Sequence, residues 1–308
     1  MVARILVCDP VHEEGVKMLR ESGYEVDLET SITGEALVGK VGDYAAIVVR
    51  SRTKVTREVL QGGEKLKVVA RAGVGLDNVD LEAAKELGVQ VVNSPEAPTN
   101  AVAELVLGMM LSLARRIPEA DASMKRGEWI KRQLTGFELS GKILGVLGFG
   151  RIGYTLAKKA KALGMKVVTF DVVIDKLMKF VEEAGAKAVS LEELLASSDF
   201  VSIHVPLLPQ TRNMIGREQF GLMKEGAYII NAARGGIVDE DAIREALVGG
   251  RLGGAALDVY EEEPPGDTSL VGLENVVCTP HIGAATVEAQ RANSTVVAEK
   301  LIKILSEA

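Results

Sequence analysis

The sequence predicts an α/β protein built as two doubly wound domains, each a parallel sheet with helices on both faces. Short apolar runs alternate with helical patterns along the chain, as expected for strands buried on both sides. The alternation breaks once, at a stretch carrying Pro95 and Pro98, and then restarts. The 308 residues, 47% of them hydrophobic, suffice for two cores at about 150 residues per domain.

In chain order, the first half predicts strands over 5–7, 24–28, 45–49, 67–70 and 89–92, with helices over 13–21 and 81–87. Residues 93–100 carry both prolines, cannot continue a strand, and read as a linker ending in a helix N-cap. A long helix is expected over 101–116. The second half predicts strands over 143–147, 166–170, 200–203, 228–230 and 255–257, a helix over 154–163 and a closing helix over 286–304.

Composition narrows the function classes. A formal net charge of −7 provides no overall positive field for nucleic acid or acidic membranes. The longest strongly apolar stretch, 105–114, is half of the ~20 residues a spanning helix needs. The first apolar run stops at Asp9 and Pro10, too early for a signal peptide. Two cysteines, Cys8 and Cys278, form no framework and no C-x-x-C pattern, which favours a reducing compartment. A cytoplasmic protein with no nucleic-acid or membrane partner and no metal is expected.

Gly148-Phe149-Gly150-Arg151-Ile152-Gly153 matches G-x-G-x-x-G, a weak signal alone that gains from its context between a strand and a helix. Gly148 suits the tight turn, Gly150 the close approach of a pyrophosphate, and Gly153 helix–strand packing. The helix start offers free N–H groups to phosphates. The next strand ends at Asp171, whose carboxylate accepts hydrogen bonds from a free ribose hydroxyl and repels a 2′-phosphate. No arginine follows in Val172-Val173-Ile174, so NAD is expected over NADP. Gly73-Val74-Gly75-Leu76-Asp77-Asn78 mimics the motif but lacks its third glycine, and reads as a loop approaching something small.

A bound nicotinamide needs a partner that gives or takes a hydride, and alcohol oxidation needs a base. Of three histidines, His12 opens a surface helix, His204 ends a strand, and His281 sits in a loop between a strand and the closing helix. The residues alone leave His204 and His281 both open. A carboxylate partner could come from Glu261, Glu262 or Glu263. Arg234, among small residues after the strand at 228–230, suits a bidentate grip on a substrate carboxylate.

Together these motifs resemble the D-isomer-specific 2-hydroxyacid dehydrogenases. The resemblance runs through Val49-Arg50-Ser51, residues 71–80, Gly148 to Gly153, residues 231–239, Ala255-Ala256-Leu257-Asp258-Val259, Glu263-Pro264 and Pro280-His281-Ile282-Gly283-Ala284, essentially the whole chain. It implies a Rossmann NAD-binding domain over 95–282 inserted into a flavodoxin-like substrate domain over 1–94 plus 283–308. It also implies that Arg234 binds and polarises the 2-oxo acid, with His281 as acid/base and Glu263 as its partner. Gly148, Gly150, Arg151, Ile152, Gly153, Asp171, Ala232, Ala233, Arg234, Asp258, His281, Gly283 and Ala284 would line the cofactor, with Val74 and Val205 offering backbone only. Arg50, Ser51, Arg52, Arg71, Gly73, Val74, Gly75 and Asn100 would face the substrate.

A cationic cluster at Arg50, Arg52, Lys54 and Arg71 points to a phosphorylated acid. The leading expectation is NAD-dependent oxidation of 3-phospho-D-glycerate to 3-phosphohydroxypyruvate, the first step of serine biosynthesis. Reduction of glyoxylate or hydroxypyruvate is the alternative, and an NAD(H)-sensing, corepressor-like role the remote one. The resemblance further implies a homodimer using the long helix after the linker. The chain ends after its closing helix, so serine feedback through an appended regulatory domain is not expected.

Overall fold

Every strand in the computed structural model, which describes residues 3–307, is parallel to its neighbours. The outermost residues of the expected substrate domain, 1, 2 and 308, lie outside the described residues. The chain divides into two units, one running to Thr99 and resuming at Ala284, the other spanning Asn100–Gly283.

The first unit carries β1 (Arg4–Val7), β2 (Glu25–Leu28), β3 (Ala46–Val49), β4 (Val68–Arg71) and β5 (Gln90–Asn93) in the order β2-β1-β3-β4-β5. Side-chain alternation explains the two-sided burial. Leu6, Ile47, Val49 and Val69 enter one core, while Ile5, Val7, Ala46, Val48, Val68 and Ala70 enter the core on the other face. The helix Val287–Glu307 returns to this second core through Val297, Ala298 and Leu301. The order reverses between β1 and β3, so their following loops leave toward opposite faces and open a crevice at the carboxyl edge.

The second unit carries β6 (Ile143–Leu147), β7 (Lys166–Phe170), β8 (Lys187–Ala188), β9 (Phe200–Ile203), β10 (Ala227–Asn231), β11 (Leu252–Leu257) and β12 (Val276–Cys278). Their order is β12-β11-β10-β9-β6-β7-β8, the doubly wound arrangement with its reversal between β6 and β9. Leu144, Val146, Phe200 and Ile230 face one core, and Leu147, Val201, Ile203 and Ile229 the other. The long helix expected over 101–116 runs over Thr99–Arg115. It starts early because Glu96 is still in a turn: the Thr99 hydroxyl donates to the Glu96 carbonyl at 2.8 Å. Among the described residues no helix is long and apolar enough to cross a membrane.

Candidate active site

Gly148 follows β6 directly, at the reversal point of the second sheet. Its φ is +93°, and a Cβ there would stand 2.8 Å from the carbonyl carbon of His204 and 2.9 Å from the amide of Val205. A Cβ on Gly153 would stand 2.3 Å from the Gly148 carbonyl, so helix Arg151–Ala162 can press onto the turn only without a side chain there. At Gly150 the same test meets open space. Two crowded glycines and one open one form a cradle in which a pyrophosphate can approach the backbone and the helix start, carrying Arg151 and Ile152.

Asp171, one residue past β7, accepts from the Phe149 amide at 2.8 Å and the Val173 amide at 3.0 Å, through different oxygens. Each carboxylate oxygen has a second lone pair, so capacity for ribose hydroxyls remains. Val172 beside it is 89% exposed and carries no charge against which a 2′-phosphate could pair. The residues present fit a dinucleotide with a free ribose hydroxyl.

The three histidines have different surroundings. His12 caps its helix, its Nδ1 accepting from the Glu14 amide. Burial pushes the His204 ring down to about 4, so it is neutral, with Nε2 2.8 Å from the Ser202 hydroxyl. His281 stands 2.7 Å through Nδ1 from Glu263 Oε2. An ionised carboxylate only accepts, so Nδ1 donates, and Nε2 is left as the lone-pair nitrogen. Its loop takes a left-handed turn at His281 itself, φ +54°.

Asp258 holds that loop. The residue is 1% exposed, and its carboxylate accepts from the Thr279 hydroxyl at 2.5 Å and from the Ile282 and Gly283 amides, both at 2.8 Å. Expected as a cofactor contact, it has its carboxylate engaged by the loop that carries His281. Arg234 lies in the loop after β10, which Asn231 shapes by accepting from the Ala233 amide at 3.1 Å and donating to the Arg234 carbonyl at 2.9 Å. The Arg234 guanidinium donates to the Ala233 carbonyl at 2.6 Å, and Ala232 lies partly exposed in the same turn. Val205 follows β9 at the reversal. Asn100 donates to Glu104 along its own helix at 2.9 Å.

In the first unit, the loops after β1 and β3 are tied together by Asp9, which is 1% exposed. Its carboxylate accepts from the Arg50 amide at 2.5 Å, the Arg52 Nε at 2.9 Å and the Thr53 hydroxyl at 2.9 Å. Arg52 also donates to the Cys8 carbonyl at 2.5 Å. The buried carboxylate needs a counter-charge, and Arg52, expected among the substrate-facing cations, supplies it from a half-exposed position. Ser51 is exposed at the tip of this loop, and the Arg50 side chain reaches the Pro10 carbonyl at 3.3 Å.

Asn78, in the glycine loop that mimics a phosphate motif, donates to the Arg50 and Thr53 carbonyls at 2.7 and 2.6 Å. That loop therefore packs on the cationic one. Gly73 takes φ +153°, a conformation L side chains rarely adopt, and the Arg71 guanidinium lies over it. Val74 is held through its carbonyl by Asn93 at 2.6 Å, with Gly75 beside it, and Ala284 opens the returning segment of this unit. Sequence reasoning missed Asp9, Tyr260 and Thr279 as organisers. A polar residue directly after a buried run was the available signal for Asp9.

The model of the family described as D-isomer specific 2-hydroxyacid dehydrogenase, NAD binding domain, matches residues 107–283. A D-3-phosphoglycerate dehydrogenase of Methanocaldococcus jannaschii is 52% identical over 305 residues, covering 99% of this chain, which spans 58% of that protein's length. A hydroxypyruvate reductase of Thermotoga maritima is 44% identical and matches over 98% of both chains. The crystal structure of the TT0316 protein from Thermus thermophilus superposes with a TM-score of 0.88 at 37% identity, over 99% of this chain and 97% of that one.

Proposed function

From a chain that belongs to the D-isomer-specific 2-hydroxyacid dehydrogenases and carries their NAD-binding domain, we propose an enzyme that oxidises 3-phospho-D-glycerate to 3-phosphohydroxypyruvate. The observation that carries the reading is the Glu263–His281 pair, 2.7 Å apart in the unit that holds the dinucleotide loop. NAD, when bound along Gly148 to Gly153 and at Asp171, supplies the acceptor for the hydride leaving C2. His281 Nε2 takes the hydroxyl proton as the carbonyl forms. Glu263 keeps the proton of the neutral ring on Nδ1 and faces the charge the ring gains. Arg234 pairs with the substrate carboxylate through its planar fork.

Arg50, Ser51 and Arg71 are assigned to the phosphate and its surroundings. The name of the Methanocaldococcus relative supports that substrate, and so does the early cationic loop. A second reading, reduction of hydroxypyruvate, draws support from the 44% identity with the Thermotoga relative and from the engagement of Arg52 by Asp9. Spectrophotometry of NADH consumption with phosphohydroxypyruvate, hydroxypyruvate and glyoxylate side by side decides. The proposal holds if kcat/KM is highest for the phosphorylated acid, and fails if it is highest for either unphosphorylated one.

We place the enzyme in the cytoplasm, which two free thiols support. We also propose a homodimer through the helix Thr99–Arg115 and its continuation. Exposed Leu111, Ile117, Met124 and Trp129 support that face, and light scattering of the purified chain tests it.

A further inference from the structure

We propose that Tyr260 is a positioning residue that holds Arg234, Glu263 and His281 in register with one another. This rests on the reading of Glu263 and His281 as the acid–base pair. The two residues leave the sheet on neighbouring strands, β11 and β12. The last rung between these strands is the Thr279 amide donating to the Leu257 carbonyl at 2.9 Å. Beyond it, Pro280 has no N–H with which to continue the ladder. Both loops must be tied by something else.

Tyr260 makes three such ties. Its hydroxyl stands 3.0 Å from the Thr279 carbonyl, two residues before His281, and 3.1 Å from the Leu257 carbonyl. Its backbone amide donates to Glu263 Oε1 at 3.2 Å, leaving Oε2 to face the imidazole. Its carbonyl packs on Gly235, where a Cβ would stand 1.8 Å away, so the turn carrying Arg234 lies directly against it. The ring is 7% exposed and belongs to one of the cores of this unit, which fixes the tyrosine. One buried residue thus touches the segments carrying all three reacting side chains. The Asp258 carboxylate alone does not complete the job, because it binds only the His281 loop. His281 sits in the left-handed region, which a histidine keeps only while its neighbours enforce it.

Tyr260→Phe removes the hydroxyl and keeps the ring. Because misplacing a reacting group by a fraction of an ångström is costly, kcat should fall about tenfold. NADH affinity, read by fluorescence titration on the same preparation, should stay within about twofold. The solvent deuterium isotope effect on kcat should rise above the wild-type value, because proton transfer to His281 becomes more rate-limiting. Tyr260→Met, which also lacks the hydroxyl and fills the same core with a flexible apolar side chain, should give the same signature and decides the matter if Tyr260→Phe does not fold.

Unchanged kcat, or kcat and NADH affinity falling together with no change in the isotope effect, overturns the proposal. His281→Ala is run beside both variants. If it keeps wild-type kcat, the dyad reading fails and takes this inference with it. If it is inactive while Tyr260→Phe is normal, only the positioning role falls.

Discussion

Burial of His204 makes a specific demand on stability as the pH falls. The ring titrates at about 4 in the folded chain against an ordinary value of 6.5, because burial penalises its charged form. Above 6.5 both folded and unfolded chains carry a neutral ring, and the group contributes no pH dependence. Below 6.5 the unfolded chain takes up a proton that the folded chain refuses, so stability is lost as pH drops through this window. The loss levels off near 4, where the folded ring protonates too. At about 1.4 kcal/mol per pH unit, the gap sets a ceiling of about 3–4 kcal/mol. Partial solvent access at the sheet edge makes the realised loss smaller. The assay is urea unfolding of wild type and His204→Gln at intervals from pH 7.5 to 4, at constant ionic strength. The difference in unfolding free energy between the two should be flat above 6.5 and shift against wild type by about 1–3 kcal/mol by pH 4. A flat difference across the whole range refutes the burial argument, and one that changes only above 6.5 refutes its sign.

Asp171→Ala should weaken NADH binding by about 1.5–3 kcal/mol, ten- to a hundredfold, and narrow the preference over NADPH in a fluorescence titration. A wild type that turns over NADP as well as NAD contradicts the assignment. Arg50→Ala should raise KM for phosphohydroxypyruvate far more than for hydroxypyruvate, since only the former carries the extra anion. Arg52→Ala should instead lower stability by about 1–2 kcal/mol in urea, because Asp9 stays buried with one donor fewer. Equal KM effects of Arg50→Ala on both substrates would return Arg50 to a structural role. His281→Ala should cost about 10²–10⁴-fold in kcat with NADH affinity retained, and Glu263→Gln less. Glu261→Gln and Glu262→Gln should leave kcat unchanged, and a loss in either equal to that of Glu263→Gln moves the partner to the wrong glutamate.

Most strands were legible because a strand covered on both faces needs an unbroken apolar run, which the two-residue β8 lacks and the three-residue β12 barely has. The runs at 143–147 and 200–203 coincide with β6 and β9. Short amphipathic helices were not legible. Gly34–Lys40 contains two glycines and buries only Leu37, so its helical period is too faint to read. The helix Ile174–Glu183 buries one residue, Val181, and its exposed Met178 and Phe180 blur the polar face. The dinucleotide loop could be read because its constraints are local, three glycines and an aspartate within one strand–helix–strand unit. Choosing Glu263 among three adjacent glutamates depends on the path of the loop after β11, which no spacing rule encodes.

A second limit on the sequence reading exposes a device used in both units. Asp9 follows β1 by two residues and Asp258 follows β11 directly, and each is 1% exposed. Each takes a threonine hydroxyl and backbone amides from the loop after a neighbouring strand: Thr53 with Arg50 in one unit, Thr279 with Ile282 and Gly283 in the other. A sheet ends where its ladder runs out, and the loops beyond it have amides with no partner. A carboxylate at that edge offers about four acceptor sites, against two on an amide or hydroxyl oxygen. That explains why a charge is tolerated at near-complete burial, since the donors it gathers offset its desolvation. The loops it gathers are the ones assigned to substrate in the first unit and to the acid–base pair in the second. An aspartate closing an apolar run, with a threonine past the end of the adjacent run, is therefore a signal for a shaped loop. It is readable only once the strand order is known, because β1 and β3 are neighbours in space and not in sequence.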